Sequence, residues 1–295
     1  MNTQRCFIFG LGYTAGRLAA RLAAEGWQVT GTRRRPEPNP GIPKPGISRP
    51  GIEVLAFDDP AVADRLAEAD AILSSVPPDG DPEQPDPVLR AYGDALKNAS
   101  ARWIGYLSAT GVYGDTGGGW VDETTPLGQG RRSARREADL DWQALARQAR
   151  APVHIFRLPG IYGPGRSALD RVREGKAHRI DVPGHVFCRI HVDDIVGAVR
   201  ASLLHPDAPG EAAIYNVADD EPASGSAVTE YACDLLDLPW PPLQTLDEAG
   251  LSPMARGFYS ESRRVRNNKL KQRLGYTLLY PTYREGLRAC LEAKG

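Results

Sequence analysis

The stretch from Arg5 to Glu25 constrains this chain most. Cys6 to Phe9 is a short apolar run rich in β-formers, and glycines follow at Gly10, Gly12 and Gly16. Leu18, Ala19, Leu22 and Ala23 then recur at helical spacing. The order is strand, glycine turn, helix. Such a turn lets the backbone approach a pyrophosphate, and the helix N-terminus adds free N–H groups and partial positive charge. The spacing G-x-G-x-x-x-G is one residue longer than the standard dinucleotide fingerprint. An ordinary turn before a helix would also carry glycines, but the flanking strand and helix favour cofactor binding.

The chain continues in the same alternation. Trp27 to Thr30 reads as a second strand, ending at Thr32-Arg33-Arg34-Arg35. About 20 residues after the first glycines an NAD site places an acid for the ribose hydroxyls. Arginines there suit a 2′-phosphate instead, so NADP is expected ahead of NAD; the alternative is a solvated basic turn. Pro36 to Pro50 reads as a surface loop. Glu53 to Phe57 is a third strand. Asp58 lies near the adenine or, the safer reading, shares a helix-cap role with Asp59. Ala71 to Ser75 is a fourth strand, and Val76-Pro77-Pro78 ends it where a cofactor crossing the strand tips would lie. A helix through Val88, Tyr92 and Leu96 precedes a fifth strand, Arg102 to Leu107. Ser133 to Arg150 reads as a long helix and Val153 to Leu158 as a sixth strand. Strand–helix alternation argues for an open parallel sheet with helices on both faces.

Beyond Pro159 the pattern loosens. Pro159 to Arg166 reads as a rigid glycine-rich loop and Arg189 to Val192 as an extended run. Asp193 reads as the cap of a helix to Leu204, which explains His191, Asp193 and Asp194 better than a metal cluster does. Ala213 to Val217 is a further strand and Ser224 to Leu236 a helix. Pro239 to Ser260 is mostly loop, and helices close the sequence over Ser262–Leu274 and Thr282–Ala293.

Composition narrows the classes. The 295 residues carry a formal net charge of −1, so no global field draws the chain to nucleic acid or a membrane. Cys6, Cys188, Cys233 and Cys290 show no metal or redox spacing, which fits reduced thiols in a cytoplasmic setting. No apolar run spans a bilayer and the start lacks a signal-peptide pattern. No metal is expected, and no G-x-S-x-G elbow points to a hydrolase.

Five separated stretches resemble one family. They are the glycine turn at Gly10–Gly16, Leu107-Ser-Ala-Thr-Gly-Val-Tyr-Gly114, Arg157-Leu-Pro-Gly-Ile-Tyr-Gly-Pro-Gly165, Arg189-Ile-His-Val-Asp-Asp194 and Ile214-Tyr-Asn-Val217. In this order they resemble the extended and atypical short-chain dehydrogenase/reductases, the NAD-dependent epimerase/dehydratase group. The resemblance implies an α/β, Rossmann-type doubly wound parallel sheet over residues 1–158, with 190–217 returning to it. It also implies a smaller substrate-binding part from 159–189 and 218–295. The cofactor would lie over Gly10, Gly12, Tyr13, Thr14 and Ala15, with Thr32, Arg33 and Arg34 at the adenosine end. Ser75, Val76 and Pro77 would pass under its middle, and Pro159, Gly160 and Ile161 would reach the nicotinamide. Many relatives act on nucleotide-linked sugars and many are dimers, so a small-molecule substrate and a homodimer are carried over as expectations.

The departure from the family pattern concerns chemistry. The family uses a Ser or Thr, a Tyr, and a Lys four residues after the Tyr. Here the hydroxyl position falls on Ala109, between Ser108 and Thr110. No tyrosine occurs between Tyr113 and Tyr162, and no lysine between Lys97 and Lys176. Arg131, Arg132, Arg135 and Arg136 occupy the region, and arginine is a poor proton donor at neutral pH. Thr110, Tyr113 and Ser108 are the substitute hydroxyl candidates, although a packed aromatic in a turn accounts better for Tyr113. Tyr162 and Arg166 are candidates for the substrate mouth. Arg166 could bind a phosphate or carboxylate bidentately, or be a surface arginine at a helix start. A cofactor-binding sensor or scaffold without redox chemistry is the rival reading.

Overall fold

The computed structural model describes residues 3–34, 51–81, 83–129 and 133–293. The loop expected over Pro36–Pro50, and Arg35, Arg131 and Arg132, lie outside the described residues. The strands are β1 (Arg5–Phe9), β2 (Gln28–Arg33), β3 (Ile52–Ala56), β4 (Ala71–Ser74), β5 (Trp103–Ala109), β6 (Trp120–Val121), β7 (Val153–Leu158), β8 (Gly160–Tyr162), β9 (Arg179–Ile180), β10 (Arg189–His191), β11 (Ala213–Asn216), β12 (Leu243–Gln244) and β13 (Arg264–Val265). The helices are α1 (Tyr13–Ala24), α2 (Ala61–Ala67), α3 (Pro87–Asn98), α4 (Ser133–Ala146), α5 (Ala168–Arg173), α6 (Val192–Leu204), α7 (Gly225–Leu235), α8 (Pro253–Arg256), α9 (Asn268–Leu274) and α10 (Tyr283–Glu292).

The chain forms two compact units. The first gathers the described residues of Met1–Ala109, Ser133–Arg157 and Val196–Tyr215. Its centre is a seven-stranded parallel sheet in the order β11-β7-β5-β4-β1-β2-β3. This is the doubly wound α/β sheet expected. Strands β4, β5 and β7 are buried along nearly their whole length, as expected where helices cover both faces of a sheet. Phe7, Phe9, Ile72 and Ile104 pack with Val62, Val88, Leu96 and Trp142 from α2, α3 and α4. Small residues on α1, Ala15, Gly16 and Ala19, are buried beside Leu18 and Leu22. α3 starts on a strong cap: Pro87 occupies its first turn, and the Asp86 carboxylate accepts from the Val88 and Leu89 amides at 2.9 and 3.0 Å. The other Asp86 oxygen accepts from the Trp142 indole at 2.8 Å, joining α3 to α4.

The second unit comprises the described residues of Thr110–Arg132, Leu158–Ile195 and Asn216–Gly295. Its core packs α5, α7 and α10 through Leu169, Val228, Ala232, Tyr283 and Leu287. Three short parallel pairs, β8 with β10, β9 with β12 and β6 with β13, tie its segments. The β6–β13 pair, with the Asp115 carboxylate accepting from the Ser262 amide at 2.8 Å, ties the segment around β6 to the C-terminal segments.

Several local expectations change. Pro159–Arg166 is not simply a loop, because Gly160–Tyr162 pairs with Arg189–His191. α6 begins at Val192, so Asp193 lies inside its first turn and is not its cap. The His191 imidazole accepts from the Asp193 amide at 3.2 Å, and Asp194 accepts from Leu279 and Tyr280 amides at 2.6 and 3.1 Å. The helix expected over Ser262–Leu274 is shorter, since Arg264–Val265 is taken into strand pairing before α9 starts, whereas the last helix runs between its caps Thr282 and Ala293 as expected.

Candidate functional site

The glycine turn is built as a cradle. Gly10 has φ +82, and a Cβ there would stand 3.0 Å from Val76 Cγ2, so the backbone meets the β4 tip closely. Its amide donates to Thr32 Oγ1 at 3.2 Å, and the Leu11 amide donates to the Thr32 carbonyl at 2.9 Å. Thr32 therefore fixes the turn from beneath. Gly12 caps α1 and supplies no side-chain hydrogen bond to it. A Cβ on Gly12 would meet only the Gly10 carbonyl, at 4.0 Å. Internal packing does not demand glycine at this position; an approaching phosphate would. No acid occupies the first turn of α1, so nothing there repels an anion. Tyr13, Thr14 and Ala15 form that turn, with Thr14 and Ala15 buried.

Arg33 and Arg34 stand at the end of β2. Arg34 is exposed. Arg33 is half-buried, and its Nε is buried without a hydrogen-bond partner. An orphaned guanidinium donor is an anion-seeking feature. Ser75 and Val76 are half-buried and Pro77 exposed, directly after the neighbouring tip of β4. Gly10, Gly12, Thr32, Ser75 and Val76 are thus brought together at the carboxyl ends of the adjacent strands β2, β1 and β4. Asp59 accepts from the Ala61 amide at 2.9 Å, the bland capping role.

The candidate hydroxyls are buried. The Ser108 hydroxyl donates to Asp139 Oδ2 at 2.6 Å. Asp139 also takes two bonds from Arg157, at 3.1 and 2.8 Å, and one from Gln143 at 2.8 Å. Thr110 is buried in a 3-10 turn, Thr110–Tyr113. The Tyr113 hydroxyl donates to Asn216 Oδ1 at 2.8 Å, and the Asn216 amide nitrogen donates to the Glu123 carboxylate at 2.7 Å. Burial keeps the Glu123 carboxyl above the usual range.

In the second unit Gly160 is exposed, and Pro159 and Ile161 are half-buried. Tyr162 points into its own core. Its ring meets His191 edge-on at 5.2 Å, and its hydroxyl donates to the Thr282 carbonyl at 3.4 Å. Gly286 is glycine because a Cβ there would collide with this ring. Burial raises the Tyr162 phenol. Arg166 is exposed beside the capping box of Ser167 and Asp170.

The sequence analysis did not single out Asp219, and it read Arg189 only as part of an extended run. Asp219 is 2% exposed, and its carboxylate has no side-chain hydrogen-bond partner. Burial pushes its pKa up to about 8, against the pull of the Arg189 guanidinium and the Glu221 amide. The available signal was a carboxyl three residues past a buried strand. Among the described residues no group of His, Cys, Asp or Glu could hold a metal, and no helix is long and apolar enough to cross a membrane.

Sheet order and glycine turn define the class: the chain has the fold of the extended and atypical short-chain dehydrogenase/reductases, the NAD-dependent epimerase/dehydratase group. No protein-family model matches it. Among individual proteins it is 44% identical to a functionally unknown conserved protein from Silicibacter pomeroyi, with 99% of each chain covered and a TM-score of 0.86. It is 29% identical over 289 residues to Protein YeeZ of Escherichia coli K12, covering 94% of this chain and 97% of that one. Two solved structures share the fold at 18% identity. Human epimerase family protein SDR39U1 with NADPH has a TM-score of 0.73 over 98% of this chain and 99% of that one. MoeE5 in complex with UDP-glucose and NAD has a TM-score of 0.75 over 98% of each.

Proposed function

We propose that this chain binds NADP(H) at the glycine turn, in preference to NAD(H). It would act on a nucleotide-linked sugar or small polar carbonyl or hydroxyl substrate. The carrying observation is Gly12, a glycine that packing does not require, at the N-terminus of a helix without a side-chain cap. Gly10, Gly12, Tyr13, Thr14 and Ala15 would take the pyrophosphate. Arg33 and Arg34 would take the 2′-phosphate, with Thr32 bracing the turn, and Ser75–Pro77 would line the middle. Pro159, Gly160 and Ile161 are assigned to the nicotinamide end. When bound, the cofactor supplies hydride chemistry; the residues supply placement and exclusion of water.

A sensor without turnover is the second reading. It is favoured by the commitment of the Ser108 and Tyr113 hydroxyls to Asp139 and Asn216. Both readings need the cofactor, so the first test concerns binding. Charge-assisted hydrogen bonds are worth about 1.5–3 kcal/mol each. Replacing Arg33 and Arg34 together by Ala is expected to weaken NADPH binding by roughly a hundredfold and NADH binding hardly at all. Equal losses in calorimetric titration would remove the NADP preference.

A further inference from the structure

The second unit carries a cation-rich cavity that the cofactor reading does not use. It encloses about 510 Å³ between the turn after β6 and one face of α9. Small-molecule sites span about 300–1,000 Å³. Arg266, Lys269 and Arg273 line it, against the carboxylates Asp122 and Glu123. Both acids are engaged with the backbone around them. Asp122 accepts from the Thr124 amide and hydroxyl at 2.9 and 2.6 Å, closing its own turn. Glu123 accepts from the Asn216 amide at 2.7 Å and faces Lys269. Arg266 stands apart. It is exposed, its guanidinium lies 4.9 Å from the centre of the exposed Trp120 ring, and among the described residues no carboxylate pairs with it.

The two walls are held in place from within the same unit. β6 pairs with β13, and the Arg266 amide extends that pairing by donating to the Val121 carbonyl at 2.9 Å. Buried Asn216 ties both walls: its backbone amide reaches Glu123, and its side chain donates to the Arg266 carbonyl at 3.2 Å. α9 is fixed from its far side. Leu270 is buried, and Asn267 donates to the Ala218 carbonyl at 2.8 Å and to Asp220 at 2.7 Å. Lys271 pairs with Asp220 at 2.5 Å. The cations of the cavity are therefore carried on anchored backbone, which lowers the ordering cost of binding.

We propose that this cavity binds the phosphate group of a small phosphate ester, with Arg266 as the principal contact. A guanidinium fork matches phosphate oxygens bidentately. The Trp120 face holds that fork in position and leaves its N–H edges available. Lys269 and Arg273 add charge of the same sign, so the lining is net positive. Exposed Gln272 offers a neutral donor on the α9 side. The volume exceeds what a bare phosphate ion fills, which favours an ester over the free ion. The site stands independently of the glycine turn and of any nicotinamide cofactor.

The Trp120 indole N–H resonance, identified by its loss in Trp120→Phe, gives a local readout that phosphate bound elsewhere does not move. The experiment follows it in the full chain during titration with ribose 5-phosphate, with inorganic phosphate and with sodium chloride, the first two at constant ionic strength. The expected result is a saturable shift with ribose 5-phosphate, tighter than with inorganic phosphate and absent with chloride. Arg266→Ala should weaken ribose 5-phosphate binding at least about tenfold, and Glu123→Gln, which removes a negative charge from the lining, should tighten it. Should Arg266→Ala fail to fold, Gln272→Glu decides: it changes an exposed position, adds a carboxylate to the cavity and should weaken binding severalfold. No saturable shift, the same shift with chloride, binding of the free ion only, or an affinity unchanged in the folded variants would overturn the proposal.

Discussion

Gly10 and Gly12 are glycines for different reasons. Gly10 needs a left-handed backbone and sits against Val76; Gly12 has ordinary backbone angles and open space. Gly10→Ala should therefore cost stability, by about 1–2 kcal/mol, read as a lower urea midpoint. Gly12→Val should leave that midpoint nearly unchanged and abolish NADPH binding. Asp219 gives a second prediction at this scale. Its folded pKa lies near 8, above its ordinary value, so the folded state keeps a proton that the unfolded chain loses. Rising pH then favours unfolding between the usual aspartate range and about 8. Asp219→Asn removes that slope, so its melting temperature should gain on the wild type at pH 8 relative to pH 5. An unchanged gap between the two proteins would contradict the burial argument.

At the scale of elements, the buried Asp139–Arg157 pair does what local sequence does not advertise. It joins α4 to β7, and Ser108 adds β5 to the same carboxylate. Removing one partner strands the other charge, at a cost of about 3–5 kcal/mol. Asp139→Ala should lower the urea midpoint accordingly, whereas Ser108→Ala removes only one neutral donor and should cost far less. The strands of the central sheet were legible because buried strands read as short apolar runs bounded by glycine and proline. The two-residue strands β6, β9, β12 and β13 were not, since pairing partners far along the chain create them. Asp193 misled for a related reason: an acid before a helical pattern resembles a cap, yet His191 takes that hydrogen bond.

For the whole molecule, the glycine turn and the arginines after β2 could be read from order and spacing alone. The fate of the hydroxyls could not, because Asp139 and Asn216 reach Ser108 and Tyr113 only in the folded chain. Nor could Asp219, whose character comes from burial by distant residues. If turnover exists, Thr110→Val or Tyr113→Phe would slow it only if the hydroxyl carries the proton. A positioned acid contributes about 10²–10⁴-fold. A screen of nucleotide sugars and small carbonyl compounds with NADPH, repeated on both variants, reads this directly; robust turnover untouched by either change would place the proton elsewhere.

The central claim is that the turn at Gly10–Gly16 is an NADP(H) site. Its most direct measurement is calorimetric titration of the wild type with NADPH and with NADH, alongside a folded Gly12→Val variant. The account predicts saturable NADPH binding, clearly tighter than NADH, that is lost in Gly12→Val. Absence of NADPH binding to the wild type, or undiminished binding to the folded variant, would contradict it.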